Sequence, residues 1–105
     1  MPRYAYQMRI RPGKEAEYDE VHRHVWPELL AKLKELGVSR YSIFRRGRDL
    51  ILTLTCEDLG TALAELDRDP VNLKWQSEMA QIFDEVPGLK PGERFAMMEE
   101  VFYLD

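Results

Sequence analysis

Cysteine and long apolar runs are scarce in this sequence, and each scarcity excludes a class of protein. The single cysteine, Cys56, leaves no partner for an intrachain disulfide and too few thiolates for a cysteine-rich zinc cluster. Together with a start that shows no signal peptide, this predicts a protein of the reducing cytoplasm. No apolar run approaches the roughly 18 residues that a transmembrane helix needs, so we expect no membrane partner.

A concentrated basic surface is also missing. The 105 residues carry 15 Lys and Arg against 19 Asp and Glu, a formal net charge of −4, so nucleic acid is not an expected partner. The one basic cluster, Arg45, Arg46 and Arg48, is predicted to be a solvated hairpin tip. The two histidines, His22 and His24, point about 200° apart on a straight helix and cannot jointly hold a metal ion, so we predict no metal site.

The spacing of apolar residues and turn formers predicts one domain over residues 1–105 with six elements. They are strands over 3–11, 38–46, 49–56 and 95–104, and helices over 15–36 and 58–86. Pro27 and Pro70 interrupt the two helical patterns, so each helix is expected to kink or to divide in two. The resulting order, β-α-β-β-α-β, is the ferredoxin-like arrangement, an α+β fold with an antiparallel sheet and helices on one face.

A sheet that helices cover on one side leaves its other face open. Several residues on the predicted strands are larger and more apolar than a solvated face requires: Tyr4, Tyr6, Met8, Tyr41, Met98 and Phe102. On the second strand, Ser39, Tyr41 and Ile43 are predicted to share one face. A partner sheet or a pocket must cover some of these side chains, so we predict a homodimer whose sheets face each other in a dimeric α/β barrel.

Tyr18 and His22 are polar residues on an otherwise apolar helix face. At about 100° per residue they share that face with Val21, Val25, Leu29, Leu33 and Leu36. The unperturbed pKa of histidine lies near neutrality, which suits a half-buried imidazole to general acid/base catalysis. The alternative is a core histidine whose ring nitrogens are satisfied by the backbone or by a carboxylate.

The segment EYDEVHRHVWPELLAKLKELG, followed by YSIF and by the terminal EEVFYL, resembles the L-rhamnose mutarotases, and the resemblance runs along nearly the whole chain. It implies a small dimeric α/β-barrel protein that interconverts the anomers of a pyranose sugar. By position, the resemblance implies that His22 is the proton-donating residue and that Tyr18 and Tyr41 contact the sugar.

The chain departs from this family at one point in the second helical region. The family often has two adjacent tryptophans there, both associated with sugar binding, whereas in this chain Trp75 is followed by Gln76. We expect Trp75 to supply an apolar plate for the sugar and Gln76 to offer hydrogen bonds. The identity of the sugar stays open between L-rhamnose, L-fucose and another pyranose.

Changing an anomer requires the ring to open and close, with the ring oxygen gaining a proton while the anomeric hydroxyl loses one. His22 can donate to the ring oxygen and recover its proton on closure, so the chemistry requires no cofactor or metal. The second proton carrier stays open between His24, Glu99, Glu100 and a bound water. Two other functions also stay open, a cofactor-free dimeric-barrel monooxygenase and a non-catalytic sugar-binding dimer.

Overall fold

Five β-strands and four α-helices make up the computed structural model, which describes residues 1–105. In chain order they are β1 (Arg3–Ile10), α1 (Glu15–Arg23), α2 (Pro27–Glu35), β2 (Ser39–Arg46), β3 (Asp49–Thr55), α3 (Leu59–Leu66), α4 (Pro70–Met79), β4 (Phe83–Asp84) and β5 (Ala96–Met98). The strands form one antiparallel sheet in the order β2-β3-β1-β4, and β5 also pairs with β1. None of the four helices has both the length and the apolar character of a membrane span.

The core lies between the helices and one face of the sheet, which we call the inner face. Strand register places Tyr6 beside Leu52 and Leu52 beside Ile43, so these side chains point to the same side. Burying a leucine side chain fully contributes about 1.5–3 kcal/mol. The 13 buried residues of the core cluster come from both layers and include Tyr6, Ile10, Leu50, Leu52 and Leu54 from the strands and Tyr18, Leu29, Leu59, Trp75 and Met79 from the helices.

Both predicted helices divide at proline, which confirms the expected breaks. α2 begins at Pro27 and α4 begins at Pro70, each in the first turn. The missing N–H of proline costs nothing there, because the first turn of a helix leaves its N–H groups without helical partners. Asp69 caps α4 by accepting a hydrogen bond from the backbone N–H of Asn72 at 2.9 Å.

The helix predicted to reach Val86 ends at Met79, and Phe83–Asp84 forms β4 beside β1 instead. Arg11 accounts for the difference. Its guanidinium donates from Nε to the Phe83 carbonyl at 2.8 Å and from Nη2 to the Ala80 carbonyl at 3.2 Å. A residue distant in sequence thus holds this segment in an extended path, although its apolar spacing also fits a helix.

The closing strand is shorter than the predicted segment 95–104. β5 spans only Ala96–Met98, and residues 99–105 have no regular secondary structure. Met98 lies opposite Ala5, and β1 begins at Arg3, so an antiparallel neighbour has room for only two more residues. Beyond them lie exposed apolar side chains, Val101, Phe102 and Leu104.

The sheet has an open face, as predicted, but most of the large strand residues do not lie on it. Four of them lie on the inner face, where the helices and the core cover them to different degrees: Tyr4, Tyr6, Met8 and Tyr41. Met98 lies on the opposite side, the outer face, and is 47% exposed. Phe44, which faces Ile51 across the sheet, is 63% exposed on the same outer face.

β2 and β3 form the predicted hairpin, but a β-bulge interrupts β2 between Ser39 and Ser42. Arg40 adopts a left-handed φ of 50° at this bulge. That conformation costs a non-glycine residue on the order of 1 kcal/mol or more. Because of the extra residue, Ser39 lies on the outer face with Ser42, contrary to the prediction, while Tyr41 keeps the inner face.

Candidate active site

His22 lies half-buried on α1 with its ring held by its own helix. Nδ1 donates a hydrogen bond to the carbonyl oxygen of Tyr18 at 2.9 Å. A carbonyl can only accept, so in the neutral imidazole Nδ1 carries the proton and Nε2 keeps its lone pair. The Tyr18 ring stacks on the imidazole with ring centroids 4.0 Å apart. The site therefore presents one oriented imidazole with Nε2 available for proton transfer.

The surroundings of His22 favour its neutral form. Burial is the largest influence and lowers the pKa of His22 below its ordinary value of 6.5. The Tyr18 carbonyl and the Asp19 carboxylate act in the opposite direction and offset part of this effect. Near neutral pH the imidazole is therefore uncharged and able to accept a proton at Nε2.

Trp75 borders the imidazole, as its predicted role requires. Its ring meets His22 edge-on with centroids 5.7 Å apart, and Trp26 meets Trp75 in the same manner at 5.1 Å. Trp75 is 7% exposed and belongs to the core cluster. Only a small part of its surface is therefore open to a sugar, and the rest packs α4 against the other elements.

Tyr18 and Tyr41 approach the inner face from α1 and β2. The Tyr18 hydroxyl is buried without a hydrogen-bond partner, which is rare for a buried polar atom. The Tyr41 hydroxyl lies 3.3 Å from that of Tyr6 on β1. Burial raises the pKa of all three phenols, so they are neutral hydroxyls near neutral pH. Tyr6 was not among the predicted site residues, because strand alternation marks it only as a large residue on one face.

Gln76 does not join these residues. It is exposed on α4 and lines a groove of about 450 Å³, together with Phe83 and Arg94. None of the other four predicted site residues lines this groove. Phe83 connects the two regions, because its ring centroid lies 6.1 Å from that of Tyr18.

The residues predicted as second proton carriers are exposed or engaged elsewhere. His24 follows the end of α1, where its side chain is 75% exposed and its Nε2 lies 3.2 Å from a carboxylate of the same helix. Glu100 is paired with an arginine of β1 at 2.6 Å, and Glu99 is exposed in the C-terminal tail. No tyrosine of the site has a lowered pKa that would let it act in their place.

One arginine of the predicted solvated cluster braces α1. Arg45 on β2 donates two hydrogen bonds to the Asp19 carboxylate, at 2.7 and 2.6 Å. The prediction of a free hairpin tip is therefore wrong for Arg45, and also for Arg48, which pairs with Asp84 at 2.8 Å. A bidentate pair of this kind is geometrically specific, so it ties α1 to β2 beside the site.

Known proteins share this chain's sequence pattern over nearly its full length. A family model described as L-rhamnose mutarotase matches residues 3–104. The L-rhamnose mutarotase of Sinorhizobium medicae is 37% identical over 105 residues, which cover 99% of each chain. That of Mesorhizobium japonicum is 34% identical over 90 residues, 85% of this chain and 86% of the relative.

Solved structures show the same fold. The crystal structure of an L-rhamnose mutarotase from Formosa agariphila matches this chain with a TM-score of 0.81 and 32% identity, and the match covers 100% of both chains. The tetracenomycin F2 cyclase of Streptomyces glaucescens matches with a TM-score of 0.70 and 18% identity, which shows a shared fold alone.

The fold and these matches define the class of protein as a sugar mutarotase, a ferredoxin-like isomerase that interconverts the anomers of a carbohydrate. This confirms the predicted fold and activity. The chain belongs to the L-rhamnose mutarotase family.

Proposed function

We propose that this mutarotase acts on L-rhamnose or a similar 6-deoxyhexose, with His22 as its general acid/base. One observation carries the catalytic assignment: the 2.9 Å bond from Nδ1 to the Tyr18 carbonyl orients the ring and leaves Nε2 available. The names of relatives at 37% and 32% identity support L-rhamnose as the substrate. The lowered pKa of His22 supports a neutral imidazole as the starting form.

In the proposed reaction, Nε2 takes the proton of the anomeric hydroxyl and delivers it to the ring oxygen as the bond between C1 and the ring oxygen breaks. Both oxygens are attached to C1, so one nitrogen can serve both. Rotation about the C1–C2 bond turns the aldehyde, and the reverse transfer closes the ring as the other anomer. The protons balance within this cycle, so a second protein acid is not required.

Tyr18, Tyr41 and Trp75 are the proposed contacts for the sugar near C1. Three observations support these roles. The Tyr18 hydroxyl has no hydrogen-bond partner, Tyr41 is 38% exposed, and the Trp75 ring lies beside the imidazole. Gln76 is proposed to contact the end of the sugar distant from C1. Support for this comes from Phe83, which lines the groove of Gln76 and also lies against Tyr18.

A homodimer formed through the outer sheet face is the proposed assembly. Phe44 and Met98 are exposed on that face, and Phe102 of the C-terminal tail is 69% exposed. Apolar surface of this kind commonly marks a protein interface. Sedimentation equilibrium at micromolar protein is expected to give twice the mass of the chain, and a monomer would contradict the proposal.

The cytoplasm is the proposed location. Cys56 is unpaired and buried, and burial raises the pKa of its thiol, which suits a compartment where thiols stay reduced. Fractionation of the source cell tests this, and recovery of the protein outside the cytoplasmic fraction would contradict it.

Saturation-transfer NMR of anomer exchange tests the function. We expect the protein to accelerate anomer exchange of L-rhamnose, and that of L-mannose less. L-Mannose differs from L-rhamnose only by a hydroxyl at C6, so this pair of sugars tests a preference for the 6-deoxy position. L-Fucose and D-glucose extend the comparison to other ring stereochemistry. Exchange at the buffer rate for every sugar, with binding still detectable by calorimetry, would show a binding protein and overturn the proposal.

A further inference from the structure

Three tyrosines from three different elements border the inner face of the sheet. Tyr6 on β1 and Tyr41 on β2 place their hydroxyl oxygens 3.3 Å apart. Tyr18 on α1 is buried in the same core cluster as Tyr6. Its own hydroxyl is buried and has no partner.

The hydroxyls of Tyr6, Tyr18 and Tyr41 carry more hydrogens than they use in hydrogen bonds with one another. In the Tyr6–Tyr41 pair one hydroxyl donates and the other accepts, so the accepting hydroxyl keeps a hydrogen to give elsewhere. The Tyr18 hydroxyl holds a second unused hydrogen. Buried polar groups nearly always find partners, so donors left over on this side of the sheet indicate a polar ligand.

The two members of the pair differ in how firmly they are held. The Tyr6 ring stacks on Phe95 at a centroid distance of 4.5 Å and is almost fully buried. Tyr41 directly follows the bulge residue Arg40 and is partly exposed. Tyr6 is therefore the fixed partner, and its hydroxyl makes the one side-chain hydrogen bond that orients the Tyr41 phenol.

We infer that Tyr6 is a positioning residue that fixes the Tyr41 hydroxyl and, with Tyr18, completes a cluster of phenols that binds ring hydroxyls of the pyranose. The inference rests on the proposed function and adds the substrate feature that is recognised, a polyol edge rather than a charged group. Burial raises the pKa of each phenol, so the cluster offers neutral donors and acceptors, which suits an uncharged sugar.

The test compares Tyr6→Phe with Tyr4→Phe. Tyr4 lies on the same strand and the same face, and its hydroxyl makes no hydrogen bond, so its variant removes the same atom without removing a contact. We expect Tyr6→Phe to weaken L-rhamnose binding, measured as Kd by NMR titration, by about five-fold, the effect of one lost hydrogen bond. Tyr4→Phe should leave Kd unchanged, and equal Kd values for the two variants would overturn the inference.

A spectroscopic measurement separates this inference from the catalytic proposal. The ¹³Cζ shift of Tyr41 reports the hydrogen bonding of its hydroxyl, and it should move in Tyr6→Phe but not in Tyr4→Phe whether or not the protein exchanges anomers. A Tyr41 shift that does not move in Tyr6→Phe would overturn the positioning role.

A double substitution tests whether Tyr6 acts through Tyr41. If it does, adding Tyr6→Phe to Tyr41→Phe should weaken binding little beyond Tyr41→Phe alone. Fully additive losses in Kd would overturn the positioning role. Thermal unfolding of each variant provides the check on folding, since removal of one hydroxyl leaves both rings in place.

Discussion

The two faces of the sheet differ in what they leave unsatisfied, a polar atom on the inner face and apolar surface on the outer face. On the inner face, the buried Tyr18 hydroxyl lacks a hydrogen-bond partner. On the outer face, Phe44 and Met98 expose apolar surface that nothing in the chain covers. A buried unsatisfied hydroxyl costs about 1–3 kcal/mol, and a large apolar side chain left in water forgoes a similar amount. Unpaired donors indicate a small polar ligand, whereas an uncovered apolar face indicates a second protein surface.

Truncation of one residue on each face should separate core from interface. Leu52→Ala on the inner face should lower the free energy of unfolding by about 2–5 kcal/mol, because it leaves a cavity in a close-packed cluster. Phe44→Ala on the outer face should change it by less than about 0.5 kcal/mol in protein diluted to the monomer. Urea denaturation measures both, and similar losses would show that the outer face is part of the core.

A charge placed in the C-terminal tail should disrupt the proposed dimer. Phe102→Asp is expected to raise the dimer dissociation constant by about ten-fold or more, because it buries a carboxylate in an apolar contact. Leu30→Asp is the matched control, since Leu30 is 44% exposed on α2, away from the outer face. Sedimentation velocity over a dilution series measures both variants. Equal effects, or none for Phe102→Asp, would remove the tail from the interface.

The pH dependence of the activity should follow the protonation of His22. Because neutral His22 is the proposed reactive form and its pKa lies below 6.5, kcat/KM should rise with pH through that lowered pKa and stay level above it. Asp19→Asn removes a charge that raises this pKa, so the midpoint should move to lower pH. Glu20→Gln, the neighbouring exposed position, should leave the midpoint in place. A midpoint above 6.5, or an upward shift in Asp19→Asn, would contradict the assignment.

The smallest expected effect is a difference in melting temperature between variants of two arginines on β2. Arg45→Met removes both hydrogen bonds to Asp19, whereas Arg46→Met removes an exposed cation that forms no ion pair. The melting temperature should fall slightly for Arg45→Met and remain unchanged for Arg46→Met, because partly exposed ion pairs contribute little. Differential scanning calorimetry measures this, and an equal response would show that Arg45 does not brace α1.

Features of the fold that depend on local spacing were predictable from the sequence. The alternation of β1 and the breaks at Pro27 and Pro70 follow from strand and helix periods and from the missing N–H of proline. The end of α4 was not predictable in this way, since Ile82 and Phe83 fit a helix as well as a strand. The path there is set by Arg11, more than 60 residues earlier in the chain.

The same distinction between local and long-range features applies to the candidate site. Tyr18 and His22 stand one turn apart on a single helix, so helical geometry alone brings them together. The contact between Tyr6 and Tyr41 joins two strands that are not neighbours in the sheet, and no local pattern indicates it. Gln76 follows Trp75 directly, yet successive residues on a helix point about 100° apart, which places Gln76 in the groove lined by Phe83 and Arg94 and away from His22.

Anomer exchange of L-rhamnose in His22→Ala and His24→Ala tests the central claim most directly. Both variants remove an imidazole next to the same helix end, but only that of His22 is held over Tyr18, while His24 is exposed beside Glu20. Saturation-transfer NMR should show that His22→Ala loses about 100-fold or more of the acceleration, and that His24→Ala retains nearly all of it. Exchange by His22→Ala at the wild-type rate would contradict the account.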